Sequence, residues 1–212
     1  EVAPSIASRA SRCGSFQGRV RPHASQSAIS AGVSAESGVP TFRGGGNTTV
    51  AAALTCALTG LAPREVVGLG AGSDAGILAR KTAVVEAALT RTGVRPEDDP
   101  ISVLAAVGGP EFAVLTGVTL GAAEVGAAIV LDGLATSVAA LLATRIEPAV
   151  QAYLVAGQVS REQAHEHVLR YLGLEPLLQL RLRAGEGVGG SMAASLLLQA
   201  LRARTLTGRT TT

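Results

Sequence analysis

Ala127-Ala128-Ile129-Val130-Leu131-Asp132-Gly133 is the stretch of sequence that decides the fold class. A short apolar run that ends in an acidic residue and a glycine is typical of a buried strand whose carboxyl end reaches a binding site. The run from Tyr153 to Ala156 repeats the pattern, with Gly157-Gln158 at its end and a predicted helix over 136–145 between the two runs. Strands that alternate with helices predict an α/β protein with a parallel sheet flanked by helices.

Apolar periodicity and end signals predict further helices on both sides of these strands. Gly60 and Gly93 are expected to end two of the helices, and Asp74 and Pro100 are expected near the start of two others. The predicted ranges are 48–59, a short turn at 63–67, 74–91, 100–106, 110–126, 161–172 and 192–203.

The composition restricts both the core and the function. Hydrophobic residues make up 47% of the chain and aromatic residues 2%, so a core has to be built from small aliphatic side chains. The formal charge of +2 comes from 18 basic and 16 acidic residues that are mostly interspersed, and this predicts no nucleic-acid function. Cys13 and Cys56 are too few for a disulfide framework or a zinc site. No apolar run is long enough to span a membrane, and we therefore predict a cytoplasmic protein.

The first 42 residues differ in composition from the rest of the chain. They contain nine serines and no leucine, and they show no sustained period of two or 3.6. We expect a disordered or extraneous leader over 1–42, a single α/β core over 43–204 and a disordered tail over 205–212.

A glycine-rich turn, Gly44-Gly45-Gly46, precedes Asn47 and Thr48 at the start of the first predicted helix. Glycines let the backbone approach a ligand closely, and the free N–H groups of a helix N-terminus suit a phosphate. A plain loop with a helix cap explains the same residues and is the commoner origin of such a turn. The residues alone leave both interpretations open.

Two carboxylates are candidates for a functional role. Glu186 lies between Gly185 and Gly187 just before a helix, where it could act as a general base or be a solvated loop residue, and the second interpretation is the more frequent one. Asp132 ends a predicted buried strand, where ligand binding and ordinary helix capping are equally well supported.

The histidines and a pair of arginines offer weaker signals. His165 and His167 are two residues apart on a predicted helix, so they point in different directions, and we predict that both lie on the surface rather than bind a metal. Arg181 and Arg183 alternate as in a strand, and we favour solvated side chains over a phosphate contact for both.

Several glycine-rich and acidic blocks, taken in order, resemble the nicotinate-nucleotide:dimethylbenzimidazole phosphoribosyltransferase family. The blocks are Gly44-Gly45-Gly46-Asn47-Thr48-Thr49, Val66 to Gly76 with Ala79-Arg80-Lys81, Ala105 to Glu111, Val130-Leu131-Asp132-Gly133, Leu172 to Leu178 and Gly185-Glu186-Gly187. The resemblance runs from about residue 44 to the end of the last predicted helix. Family members are longer at the N-terminus, so we expect an N-terminally truncated member.

This resemblance implies a Rossmann-like parallel sheet with an incomplete small helical domain, in a homodimer. It implies transfer of phosphoribosyl from nicotinate mononucleotide to 5,6-dimethylbenzimidazole, with no metal and no cofactor. Glu186 matches the family's catalytic glutamate. The substrate-binding residues implied by the matching blocks are Gly44, Gly46, Asn47, Thr48, Gly70, Gly72, Asp132, Gly133 and Gly185.

The chain also departs from the family pattern at several polar positions. Phe42 and Arg43 stand where Glu and Met are usual, Leu69 replaces an Arg, and Gly157-Gln158 replaces a Ser-His pair. Each change removes a polar contact that the family offers to its substrate. The alternative hypothesis is therefore a catalytically inactive remnant that binds a nucleotide or an azole.

Overall fold

The computed structural model describes residues 47–68, 75–182 and 187–207. Short strands and longer helices follow one another along the chain. The helices are α1 (Asn47–Thr59), α2 (Pro63–Val66), α3 (Ala75–Thr92), α4 (Pro100–Val107), α5 (Pro110–Glu124), α6 (Leu134–Ile146), α7 (Gln163–Leu172) and α8 (Val188–Leu206). The strands are β1 (Ile129–Leu131) and β2 (Leu154–Ala156), and a 3-10 helix covers Pro148–Tyr153.

β1 and β2 form a parallel pair, which confirms the predicted α/β fold class. Their register pairs Ile129 with Leu154 and Leu131 with Ala156. A single parallel bridge between Gln158 and Leu178 places a third segment beside the end of β2. The predicted strand after residue 127 is therefore present, and the carboxyl ends of both strands meet at one edge of the sheet, as parallel pairing requires.

Two helices with small side chains form the centre of the core. Every residue of α1 from Ala51 to Leu58 is buried, and so is every residue of α6 from Ser137 to Ala143. Alanine at nearly half of these positions lets the two helices approach each other closely. Cys56 packs here as a small apolar residue, as the sequence predicts, and burial raises the pKa of its thiol to about 12.

The carboxyl end of α1 is held by side chains from other helices. Gly60 follows the helix with a φ of +75°, a conformation that glycine adopts without strain. The Arg145 guanidinium, at the end of α6, donates to the carbonyl oxygens of Leu58 and Pro96 over 2.6 and 2.9 Å. The Tyr171 hydroxyl of α7 donates to the Thr59 carbonyl over 3.0 Å. These bonds pair carbonyls that have no partner within the helix.

The observed helix bounds confirm the predicted helices to within a few residues. Asp99 caps α4 by accepting from the Ser102 backbone N–H over 2.9 Å, and Pro100 occupies the first helical position. α8 begins earlier than predicted and runs to Leu206, past the predicted end at residue 203. The 3-10 helix before β2 was not predicted, because its apolar residues resemble part of the strand that follows.

One prediction about an individual side chain is wrong, and one is confirmed. His165 is completely buried rather than on the surface, because it lies on the side of α7 that packs against α6. Arg181 has a φ of +51°, so it does not belong to an extended, strand-like segment, although its side chain is exposed as predicted. Arg183 lies outside the described residues.

Phe112 is the largest fully buried side chain, at 0% exposure, in a core otherwise made of small residues. We expect Phe112→Ala to lower the free energy of unfolding by about 3 to 5 kcal/mol, since the aliphatic neighbours cannot refill an aromatic cavity. Urea unfolding measures this change. Val114→Ala removes an apolar side chain from the same helix at a position 53% exposed, and we expect a change below about 0.5 kcal/mol. Equal effects of the two substitutions would contradict the described core.

Candidate functional site

Asp132 joins the carboxyl end of β1 to the first turn of α8. Its Oδ1 accepts from the Gly190 backbone N–H over 2.8 Å, and its Oδ2 accepts from the Gly187 backbone N–H over 3.1 Å. A carboxylate at a helix N-terminus is favoured both by these bonds and by the helix dipole. The capping role that the sequence allowed for Asp132 is therefore present, but the capped helix is α8 and not the helix that follows Asp132 in the chain.

Thr136 caps that following helix, α6, in place of Asp132. Its hydroxyl accepts from the backbone N–H groups of Asp132 and Gly133 over 3.0 and 3.1 Å and donates to the Gly133 carbonyl over 2.9 Å. Because the Thr136 hydroxyl forms the hydrogen bonds of this turn, the Asp132 carboxylate is available to cap α8. The sequence signal for these separate roles is the threonine four residues after the aspartate.

Close packing around Asp132 requires glycine in α8. A side chain on Gly190 would begin 3.3 Å from the Asp132 Cβ, which is tighter than ordinary van der Waals contact. Gly187 has a φ of +84°, which disfavours any other residue. Gly187 directly follows Glu186 in the chain, so the Asp132 carboxylate fixes the backbone beside the predicted catalytic residue. Glu186 and Gly185 themselves lie outside the described residues.

A second polar cluster lies at the start of α1. The Lys81 ammonium of α3 donates to the Thr48 hydroxyl over 3.5 Å. Glu162, immediately before α7, is close enough to Lys81 to feel its charge: burial raises the pKa of the Glu162 carboxyl, and the Lys81 cation opposes that rise. Thr48 was predicted to bind substrate, whereas Lys81 had no predicted role. The signal in the sequence was that Lys81 is the chain's single lysine and lies in one of the blocks that resemble the family.

The segment from Gly157 to Glu162 connects the two clusters. Near its middle, Ser160 lies against Gly133, where an added methyl group would be 3.6 Å from the Ser160 Cβ. At its end, Glu162 faces Lys81. The segment therefore contacts the turn after β1 at Ser160 and lies close to Lys81 at Glu162.

His165 forms a hydrogen bond to the backbone of this connecting segment. Its Nδ1 accepts from the Ser160 backbone N–H over 2.8 Å, so in the neutral ring the proton is on Nε2, which lies 2.9 Å from the Ser137 hydroxyl. Nε2 then donates to that hydroxyl and cannot remove its proton. Ser137 and His165 are therefore a structural pair and not an activated nucleophile, and burial lowers the pKa of His165 to about 4.

The structure brings together only part of the predicted site. Asn47, Thr48, Asp132 and Gly133 are described, and each lies at one of the two clusters or between them. The predicted residues outside the described ranges are Gly44, Gly46, Gly70, Gly72, Gly185 and Glu186.

Metal-binding side chains are not clustered in the described part of the chain. Within 47–68, 75–182 and 187–207, no three His, Cys, Asp or Glu side chains are grouped so that they could hold a metal ion. Of the helices in the same ranges, none has the length and apolar character needed to cross a membrane.

An α/β protein with a carboxylate and close-packed glycines at the carboxyl ends of parallel strands has the layout of a small-molecule binding protein. A model of the phosphoribosyltransferase family matches residues 21–209. The chain belongs to this family, that of the nicotinate-nucleotide:dimethylbenzimidazole phosphoribosyltransferases.

The relatives and solved structures carry the same name. The nicotinate-nucleotide:dimethylbenzimidazole phosphoribosyltransferase of Thermus thermophilus is 46% identical over 74% of this chain and 46% of its own length. That of Chloroflexus aurantiacus is 47% identical over 71% of this chain and 42% of its own. The crystal structure of CobT from Thermus thermophilus superimposes with a TM-score of 0.70 over 74% of this chain and 46% of that one. The chain thus spans a little under half the length of the relatives it matches.

We expect Asp132→Ala to lower the free energy of unfolding by about 1 to 2 kcal/mol, because it leaves the Gly187 and Gly190 N–H groups without their acceptor. Thermal or urea unfolding measures the loss. Glu124→Ala removes an exposed carboxylate at the end of α5 and is expected to change stability by less than about 0.5 kcal/mol. An Asp132 variant as stable as the Glu124 variant would contradict the capping role.

Stability is also expected to depend on pH through His165. Its folded pKa of about 4 is below the ordinary 6.5, so the unfolded chain binds the proton more readily. The stabilisation is complete above about pH 6.5 and is lost as the pH falls toward 4, by about 3 kcal/mol in total. Urea unfolding at several pH values measures it. His165→Gln should flatten this part of the profile, whereas His167→Gln, on the same helix, should keep it. An unchanged slope in the His165 variant would show that another group is responsible.

Proposed function

We propose that the protein transfers the phosphoribosyl group of nicotinate mononucleotide to 5,6-dimethylbenzimidazole, giving α-ribazole 5′-phosphate and nicotinate. The observation that carries the proposal is the pair of hydrogen bonds from Asp132 to Gly187 and Gly190. These bonds hold the backbone next to Glu186 against the edge of a parallel sheet, in a chain that belongs to this enzyme family.

The reaction breaks one C–N bond and forms another at the same carbon. The bond between the ribose C1′ and the nicotinate nitrogen breaks, and its electron pair leaves with nicotinate. One ring nitrogen of dimethylbenzimidazole attacks C1′, and Glu186 takes the proton from the other nitrogen. A neutral azole is a weak nucleophile, so a positioned base and an anchored sugar phosphate are the two aids that the reaction needs.

The anchoring role falls to the cluster at the start of α1 and to the glycine loops. Thr48 and Lys81 offer a hydroxyl and a cation there, which suits the 5′-phosphate. Asp132 and Gly133 line the sugar side of the pocket. The further residues that we propose to contact substrate are Gly44, Gly46, Asn47, Gly70, Gly72 and Gly185.

We also propose a cytoplasmic homodimer that binds these two small molecules. The support for the dimer is the family resemblance. The support for the compartment is the cysteine content, because two cysteines give no disulfide framework and Cys56 is buried as a free thiol.

Nicotinate release from nicotinate mononucleotide and dimethylbenzimidazole tests the proposal. We expect the purified chain to release nicotinate only when both substrates are present, and we expect Glu186→Ala to lower kcat by at least roughly 100-fold, the usual contribution of a general base. Glu166→Gln, which changes an exposed carboxylate on α7, is the matched control and should keep the wild-type rate.

The outcomes separate the two hypotheses about activity. A chain that binds nicotinate mononucleotide but releases no nicotinate above the Glu186→Ala level would be the inactive binding remnant, which the replaced polar positions Leu69 and Gln158 favour. A chain that does neither would contradict both hypotheses.

A further inference from the structure

The side-chain oxygen of Gln158 is buried, and no residue that the structure describes donates a hydrogen bond to it. Gln158 is 4% exposed, and its Oε1 has no partner among the residues that the structure describes. A buried polar atom without a partner destabilises the folded state and therefore calls for an explanation. Gln158 is also one of the positions where this chain departs from the pattern of its family.

Backbone hydrogen bonds fix the residues on both sides of Gln158. The Gly157 N–H donates to the Leu131 carbonyl over 2.8 Å, and the Val159 N–H donates to the Leu178 carbonyl over 3.1 Å. A side chain on Gly157 would begin 2.7 Å from that Leu131 oxygen, so the close approach of the two strand ends depends on glycine. The starting point of the Gln158 side chain is thus fixed at the carboxyl edge of the sheet.

The other end of the side chain rests on the first turn of α8. A methyl group added to Gly189 would overlap the Gln158 Cδ and Nε2 atoms, so the amide occupies space that only glycine leaves open. The next residue, Gly190, is the one whose N–H binds Asp132. Gln158 and Asp132 therefore lie against consecutive residues of the same helical turn, in the site already described.

The chemistry of Oε1 limits what can pair with it. An amide oxygen only accepts hydrogen bonds, and the nearby Asp132 carboxylate is likewise an acceptor. The Ser160 hydroxyl, two residues further along the same segment, is a second buried atom with no partner among the described residues. Nicotinate mononucleotide has ionised carboxylate and phosphate groups that accept hydrogen bonds at neutral pH, so its donors are the ribose hydroxyls.

We propose that Gln158 is a substrate-positioning residue whose Oε1 accepts a hydrogen bond from a ribose hydroxyl of nicotinate mononucleotide. This inference rests on the proposed function. Gln158 selects for a sugar that carries that hydroxyl, and the bond supplies the partner that Oε1 lacks among the described residues.

Isothermal titration calorimetry with nicotinate mononucleotide and its 2′-deoxy and 3′-deoxy analogues tests the inference. We expect the wild-type chain to bind one deoxy analogue roughly three- to tenfold more weakly than the parent, the usual effect of one neutral hydrogen bond. Gln158→Met has a side chain of similar length without the acceptor. It should bind the parent more weakly by the same factor and should no longer distinguish the two ligands.

A matched control and a folding check accompany the titrations. Gln199→Met makes the same replacement at an exposed position of α8 and should keep the wild-type discrimination. Gln158→Met removes a buried acceptor that has no partner in the described part of the chain, so its melting temperature should not be below that of the wild type. Gln158→Leu provides a second variant for the same titrations.

Each outcome decides between the inference and the function on which it rests. Equal affinity of the wild-type chain for all three ligands overturns the inference, and so does wild-type discrimination retained in the Gln158 variants. If the wild-type chain also releases nicotinate in those cases, the proposed function stands without it. A wild-type chain that binds none of the ligands overturns both.

Discussion

The arrangement of the site depends on the hydrogen bonds that the Asp132 carboxylate accepts. It comes from the end of β1 and binds two backbone N–H groups at the start of α8, more than fifty residues later in the chain. Among the contacts between α8 and the other described elements, those with β1 are prominent, and much of the far half of α8 is exposed. The position of α8 relative to the sheet is therefore set at its first turn. Gly187, the residue that directly follows Glu186 in the chain, is anchored in that turn.

The hydrophobic core of the protein is built mostly from small side chains. α1 and α6 each bury more than half of their residues, and most of what they bury is alanine, valine and leucine. Small side chains allow the backbones to come close, which makes the ends of these helices well defined. Arg145 and Tyr171 then pair the last carbonyls of α1 from α6 and α7.

Local features of the fold could be predicted from the sequence, whereas contacts between distant residues could not. The two apolar runs before Asp132 and Gly157 identified the parallel strands, and the glycines and prolines marked most helix ends. The sequence did not predict that Asp132 caps α8, because the local pattern at a strand end does not indicate which distant residues it will contact. His165 was placed on the surface because two histidines two residues apart on a helix point in different directions and do not suit a metal site. Its ring instead faces α6, where Nε2 lies 2.9 Å from the Ser137 hydroxyl, and its Nδ1 accepts from the Ser160 N–H of the segment before α7.

The candidate site itself was predictable to the extent that its residues cluster in motifs. Asp132 and Thr48 were found in this way, but Lys81 and Gln158 acquire a role only from their neighbours in space. Lys81 matters because Thr48 and Glu162 are beside it, and Gln158 matters because Gly189 leaves room for its amide. Lys81 lies at the start of α1 beside Glu162, and the acceptor side chains of Asp132 and Gln158 lie at the strand ends. A nucleotide whose phosphate meets Lys81 and whose sugar hydroxyls meet Gln158 would match both proposed contacts, whereas the reverse orientation would put an anion against Asp132. The contacts proposed for Lys81 and Gln158 therefore require the same orientation of the proposed substrate, with its phosphate toward the start of α1.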